Sequence, residues 1–356
     1  MALRRLQITD FRCLARVELE LDPVYTLLSG PNASGKTSLL EAVYLLGRGR
    51  SFRTRRLDPL IRSGSERFQI VGEVLQGERR VPLGVESAAG RLRARIGGER
   101  AAGLAALASV LPVQIIDPEV HRLIEEGPAR RRRFLDWGVF HVEPTFIDDW
   151  QAYHLALKQR NAALRAGAPP ETVRAWDPVL IRSGESVTAA RLRYVESLSN
   201  VVAPLAERLL GAVPALQYRQ GWLSGATLAE ALLRGQATDR EQRMTHAGPH
   251  RADLALQWEG APVKDRISRG QQKLLAAALL LAQLELFPTE GAVSPTLLLD
   301  DPAAELDEAR VRALLEAVPL EGVQRIVTTL DPRFAALGVP GQRYAVAGGT
   351  VVPADG

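Results

Sequence analysis

The segment Gly30-Pro31-Asn32-Ala33-Ser34-Gly35-Lys36-Thr37 satisfies the pattern G-x-x-x-x-G-K-[ST]. Its glycines let backbone N–H groups curl around phosphate oxygens, and a following helix adds positive potential at the same place. Lys36 is then expected to reach the β- and γ-phosphates of ATP, and the Thr37 hydroxyl to bind Mg2+. Much later, Thr296-Leu297-Leu298-Leu299-Asp300-Asp301 is an apolar run ending in two carboxylates. A buried strand of this kind delivers its acids at the ligand edge of a sheet. Asp300 would hold the metal, and Asp301 would orient or deprotonate the attacking water. Between these segments, Ser268-Arg269-Gly270-Gln271-Gln272-Lys273 opens a helical pattern with Ser268 as N-cap. One triphosphate rarely needs two helix N-termini from a single chain. The economical reading gives Ser268, Gly270 and Gln271 to a nucleotide held by another subunit.

Arginine clusters form a third group. Arg48, Arg50, Arg53, Arg55 and Arg56 follow the phosphate-loop helix, and Arg130 to Arg133 precede an apolar Phe134-Leu135. Arg50, Arg53, Arg55, Arg56, Arg131 and Arg132 are candidates to touch a DNA sugar-phosphate backbone, in binding that would weaken steeply with salt; the alternatives are contact of Arg50 or Arg53 with the nucleotide and a solvated helix face at Arg130 to Arg133. No interleaved aromatic platform for stacking single-stranded bases is evident. His246 and His250 have the spacing of a helical zinc pair, but Gly248-Pro249 between them opposes a helix and no third ligand is apparent, so a structural role is expected.

The elements that must position these residues follow from periodicity. Residues 3–8 and 15–21 alternate as strands, and 24–29 is a short apolar strand running into the phosphate loop. Residues 37–46 carry a helical apolar stripe. Residues 68–97 read as strands broken by glycines, expected as an antiparallel extension of the sheet. Further strands are expected at 111–116, 254–258, 296–299 and 323–328, and a helix at 271–286. From about 130 to 210 the texture is helical, with long patterns at 146–165 and 179–209 broken at Gly167 to Pro170. Apolar heptads are not sustained, so no true coiled coil is expected.

Composition bounds the class. With 356 residues, 46% hydrophobic and 24% charged, the chain can bury a sizeable core, and two lobes are expected. Net charge of +4 with a pI near 9.4 permits nucleic acid as a partner. There is no apolar run long enough for a transmembrane helix, and residues 1–10 lack the apolar core of a signal peptide. Cys13 is the sole cysteine, which excludes an internal disulfide and a cysteine zinc site and fits a reducing cytoplasm.

A phosphate loop, an S-x-G-Q signature and an apolar strand with two acids resemble the ABC ATPase superfamily, with Ala304-Glu305-Leu306-Asp307 similar to its D-loop. The long separation of loop and signature is similar to the split heads of SMC proteins, with a short insert in place of a coiled coil. Arg131-Arg132-Arg133-Phe134-Leu135-Asp136-Trp137, Lys158-Gln159-Arg160-Asn161-Ala162-Ala163-Leu164 and Gly248-Pro249-His250-Arg251-Ala252-Asp253-Leu254 resemble segments of the RecF family. The resemblance implies an α/β ABC/SMC-type head with a mixed sheet, split over 1–128 and 240–356, and a mostly helical second lobe over 129–239. It implies a weak Mg-dependent ATPase acting as a switch, with ATP driving a head-to-tail homodimer that clamps gapped or junction DNA. It also implies RecO and RecR as partners and loading of the RecA recombinase.

Three departures stand out. Ala33 replaces a common glycine, tolerable only at negative φ. Asp301 replaces the glutamate of transporters, and the shorter arm suits slow hydrolysis. Thr328 and Thr329 stand where transporters carry a γ-phosphate-sensing histidine. Other classes weighed are a transporter ATPase, opposed by the split motifs, and an SMC-like-head ATPase of another DNA-processing or anti-phage system.

Overall fold

Strands β1 (Ala2–Phe11) and β2 (Leu14–Glu20) alternate so that Leu6, Ile8, Val17 and Leu19 share one buried face. Their antiparallel register sets Leu6 opposite Leu19 and Ile8 opposite Val17. The structure, a computed structural model, describes residues 2–88, 90–288, 294–302, 308–318, 321–330 and 341–354. The chain forms two compact units, one of Met1–Val120 with Thr289–Gly356, the other of His121–Pro288.

The first unit holds two sheets. Strands β3 (Tyr25–Ser29), β4 (Phe68–Gln76), β5 (Arg79–Ala88), β6 (Arg91–Ile96), β7 (Glu99–Arg100) and β8 (Val113–Ile116) follow in order, with helices α1 (Lys36–Arg48) after β3 and α2 (Ala105–Val110) after β7. One sheet is antiparallel, in the order β2-β1-β4-β5-β6-β7. The expected extension at 68–97 therefore builds a separate sheet with β1. The reason is α1, buried at 11 of its 13 residues, which needs apolar cover on more than one side. Leu39, Leu40 and Val43 of α1 share a core with Leu3, Leu6 and Ile8 of one sheet and Leu298 and Ile326 of the other.

The second unit is mostly helical: α3 (Arg122–Glu125), α4 (Pro128–Val142), α5 (Phe146–Arg165), α6 (Pro170–Arg174), α7 (Asp177–Leu210), α8 (Leu228–Gln242) and α9 (Arg269–Glu285). A small sheet joins β9 (Ala215–Arg219), β10 (Asp253–Trp258) and β11 (Ala261–Pro262) in the order β11-β10-β9. The boundaries differ from the expected split, since 121–128 and 240–288 fall in this unit. Pairing of β10 with β9 and packing of α9 along α7 bind the later segment to the helices.

Back in the first unit come β12 (Thr296–Asp300), α10 (Glu308–Ala317), β13 (Gln324–Thr329), β14 (Gln342–Ala347) and β15 (Thr350–Pro353). The second sheet runs β15-β14-β3-β13-β12-β8, parallel except for the β14–β15 hairpin. All residues of β12 and β13 are buried, as in a parallel sheet covered on both faces. Among the described residues no helix is long and apolar enough to cross a membrane.

Candidate functional site

The central strand β3 feeds the phosphate loop directly into α1, while its parallel neighbour β13, and β12 beyond β13, end alongside. Gly30 and Gly35 adopt φ of 156° and 114°, and a Cβ on Gly30 would lie 2.1 Å from the Val346 carbonyl oxygen. Glycine is required at Gly30 on both counts. Ala33 corrects an expectation: its φ is +60°, so alanine sits in the left-handed region at a cost of roughly 1–2 kcal/mol. The loop's geometry is held by its neighbours and outweighs that local preference. Lys36 Nζ donates to the Gly30 and Pro31 carbonyls at 2.6 and 2.8 Å, closing the loop on itself. Burial lowers the Lys36 pKa, opposed by the charges of Asp301 and Asp300.

Asp300 is buried at the end of β12, where Thr37 Oγ1 stands 3.0 Å from both its oxygens and Thr328 Oγ1 donates to Oδ1 at 2.8 Å. Burial pushes its pKa up against the pull of these hydroxyls. Asp301 follows at φ +45°, its N–H donating to Thr328 Oγ1 at 3.0 Å. Burial raises its pKa too, and Lys36 opposes the rise. Thr329 contributes through its backbone, accepting from the Gly30 N–H at 3.3 Å. Phosphate loop, Thr37, Asp300, Asp301 and Thr328 thus meet at one sheet edge. Hydroxyl and carboxylate oxygens side by side are the donor set that Mg2+ takes. The D-loop-like residues 304–307 lie outside the described residues.

Sequence reasoning missed a carboxylate on α1. Glu41 is fully buried and receives Arg12 Nε at 2.9 Å, Arg12 Nη2 at 2.8 Å and the Ser51 hydroxyl, with Arg53 Nη1 3.6 Å away. This ties the arginine-bearing segment after α1 to the phosphate-loop helix, and the Arg53 charge also lowers the Asp300 pKa. A lone acid within the apolar stripe of 37–46 was the available signal. Arg50, Arg53, Arg55 and Arg56 are exposed. So are Arg91, Arg93 and Arg95, alternating along β6 with Leu92, Ala94 and Ile96. That period-2 pattern was legible, but its charge went unread.

In the second unit Ser268 is the N-cap of α9, and its Oγ accepts from Gln271 N–H at 3.3 Å. Gln271 Oε1 in turn accepts from Ser268 N–H at 2.9 Å, a capping box. Ser268 is exposed, and Gly270 and Gln271 are half-buried beside it. Arg131 and Arg132, expected at a DNA backbone, have partners within the chain. Arg131 makes a two-pronged pair with Asp253 at 2.8 and 3.0 Å and reaches the Glu126 carbonyl at 2.6 Å. Arg132 donates to the Ala252 carbonyl at 2.6 Å. Both guanidiniums anchor the strand leading to α9, because charges packed against the protein need partners there. His246 and His250 join no metal cluster among the described residues. His250 accepts from the Tyr153 hydroxyl at 2.6 Å and donates to the Thr245 carbonyl at 3.0 Å. His246 lies 2.9 Å from Asp239.

The family model described as the RecF/RecN/SMC N terminal domain matches residues 2–339. A curated relative from Xanthomonas euvesicatoria, "DNA replication and repair protein RecF", is 40% identical over 357 residues, covering 98% of this chain and 97% of the relative. A relative of the same name from Erwinia tasmaniensis is 41% identical over 319 residues, 89% and 88% of the two chains. Among solved structures, one described as the recombination mediator RecF with ATP in the RecFOR pathway superposes with a TM-score of 0.88 at 26% identity, covering 99% and 98% of the two chains. An SMC head bound to the winged-helix domain of ScpA shares the fold, with a TM-score of 0.62 at 16% identity over 99% of this chain and 98% of that one.

Proposed function

The chain belongs to the RecF family of DNA replication and repair proteins, within the RecF/RecN/SMC group, and from that membership we propose that it is an ATP-driven switch on DNA. ATP is held at residues 30–37, with Thr37 and Asp300 as the ligands of Mg2+. Held there, Mg2+ would supply positive charge against the phosphate oxygens of ATP. Lys36 exchanges its two loop carbonyls for those phosphates. Asp301, its carboxyl made more basic by burial, takes the proton of the attacking water, and its short arm keeps hydrolysis slow. Ser268, Gly270 and Gln271 present an exposed helix start to the γ-phosphate held by a second copy, closing a head-to-tail dimer.

DNA phosphates are met by Arg50, Arg53, Arg55 and Arg56, and by the exposed arginines of β6. As in the family it resembles, the chain acts in the cytoplasm at gaps or junctions, with RecO and RecR, to help load RecA. The observation that carries this reading is the cluster of Thr37, Asp300 and Thr328 beside a closed phosphate loop. Light scattering tests it: a dimer forms with ATP, not with ADP, and is lost in Lys36→Ala and Ser268→Arg. A mass unchanged by ATP rejects the switch.

A further inference from the structure

The β14–β15 hairpin lies behind the phosphate loop and touches it at two places. Gly349, in the hairpin turn, donates its N–H to the Ser34 carbonyl at 2.9 Å. The Val346 carbonyl oxygen occupies the space a Cβ on Gly30 would need, and a Cβ on Gly35 would lie 3.6 Å from the Gly349 Cα. Strand β14 also pairs in parallel with β3, and Ser29 Oγ donates to the Tyr344 carbonyl at 3.3 Å.

We propose that Gly349 is a positioning residue for the nucleotide site, acting through the Ser34–Gly35 peptide. A trans peptide is planar, and its C=O and following N–H point in opposite directions. Holding the Ser34 carbonyl toward Gly349 therefore turns the Gly35 N–H away from the hairpin, among the N–H groups that curl around phosphate. Left without this bond, the peptide can rotate and present its carbonyl to an anion, which repels it. Gly349 is constrained in two ways: its φ is +79°, and a Cβ would lie 2.7 Å from the Cys13 backbone oxygen. Gly348, at φ +55°, has open space where its Cβ would be, so the neighbouring position supplies a control on the same turn.

This inference rests on the nucleotide reading above, and the experiment separates the two. Binding of fluorescent ATP, ADP and AMP analogues is measured for the wild type, Gly349→Ala and Gly348→Asn. Gly349→Ala is expected to weaken ATP and ADP at least tenfold and AMP by less than threefold, with the strain at this position lowering the unliganded melting temperature without unfolding the chain. Gly348→Asn, which the left-handed region tolerates, is expected to bind like the wild type. Equal ATP affinity in Gly349→Ala overturns the inference while leaving the nucleotide reading standing, and an equal loss for all three ligands reduces the turn to general support and also overturns it. Absence of ATP binding in the wild type removes the nucleotide reading itself. Hydrogen exchange on the unmodified chain gives a second measurement. Added ATP is expected to slow amide exchange in the peptide 344–354, and unchanged exchange there counts against the proposal.

Discussion

At the scale of single residues, the Asp300 carboxylate is held by two threonine hydroxyls with little water around it. Because burial raises its pKa in the folded chain, the folded state binds the proton more tightly than the unfolded state does. The ionised form therefore lowers stability near pH 7, and that loss fades as pH drops through the folded pKa. Asp300→Asn is expected to raise unliganded stability by about 0.5–2 kcal/mol while abolishing the thermal shift given by ATP with Mg2+. Thermal melts with and without ligand check both halves. His250 has the opposite sign. Burial lowers its pKa from 6.5 to about 4, helped by Arg251, His154 and Arg132 and opposed by its bond to Thr245. Its neutral form contributes stability above pH ~6.5 that is lost as pH falls toward ~4, up to about 3 kcal/mol. Urea midpoints of His250→Gln should be flatter than wild type between pH 7 and 4.5.

Elements in the helical unit are tied together by buried arginines. Arg160 of α5 is 1% exposed and pairs with Asp177 at 2.8 Å and Asp239 at 2.7 Å, while also reaching Thr245 at 2.8 Å. Removing one partner strands the others' charges, so Arg160→Ala is expected to cost about 3–5 kcal/mol in chemical denaturation. The sequence made the phosphate loop, the β12 acids and the Ser268 cap legible, because each rests on neighbours within a few residues. The partners of Arg131 and Arg132 were not legible, because a basic run looks the same whether it faces water or a distant Asp253 and Ala252. Gly349 was invisible for a related reason. Its partner Ser34 lies at the other end of the chain, and a Gly-Gly turn between two alternating strands predicts a hairpin but not what lies against it.

For the molecule as a whole, the exposed arginines predict a binding law. If Arg91, Arg93 and Arg95 meet duplex phosphates, replacing each by alanine lowers the slope of log affinity against log salt by roughly 0.9 for every phosphate no longer neutralised. Arg131→Ala should instead lower stability and leave that slope nearly unchanged, because its guanidinium is engaged with Asp253. Titrations at several salt concentrations distinguish the two. The strand arrangement also sets a timetable. The strand entering the phosphate loop is flanked by β13 and β14, and Ser29 is bonded to a residue 315 positions later. A ribosome adding about 5–20 residues per second needs on the order of 15–60 s to bridge that interval. Until then the strand lacks its β14 neighbour and the loop lacks the hairpin turn that bonds Ser34, so the nucleotide site is incomplete. On the function proposed above, competence to bind ATP then reports that synthesis has reached the hairpin, and an unfinished copy would not enter an ATP-held pair.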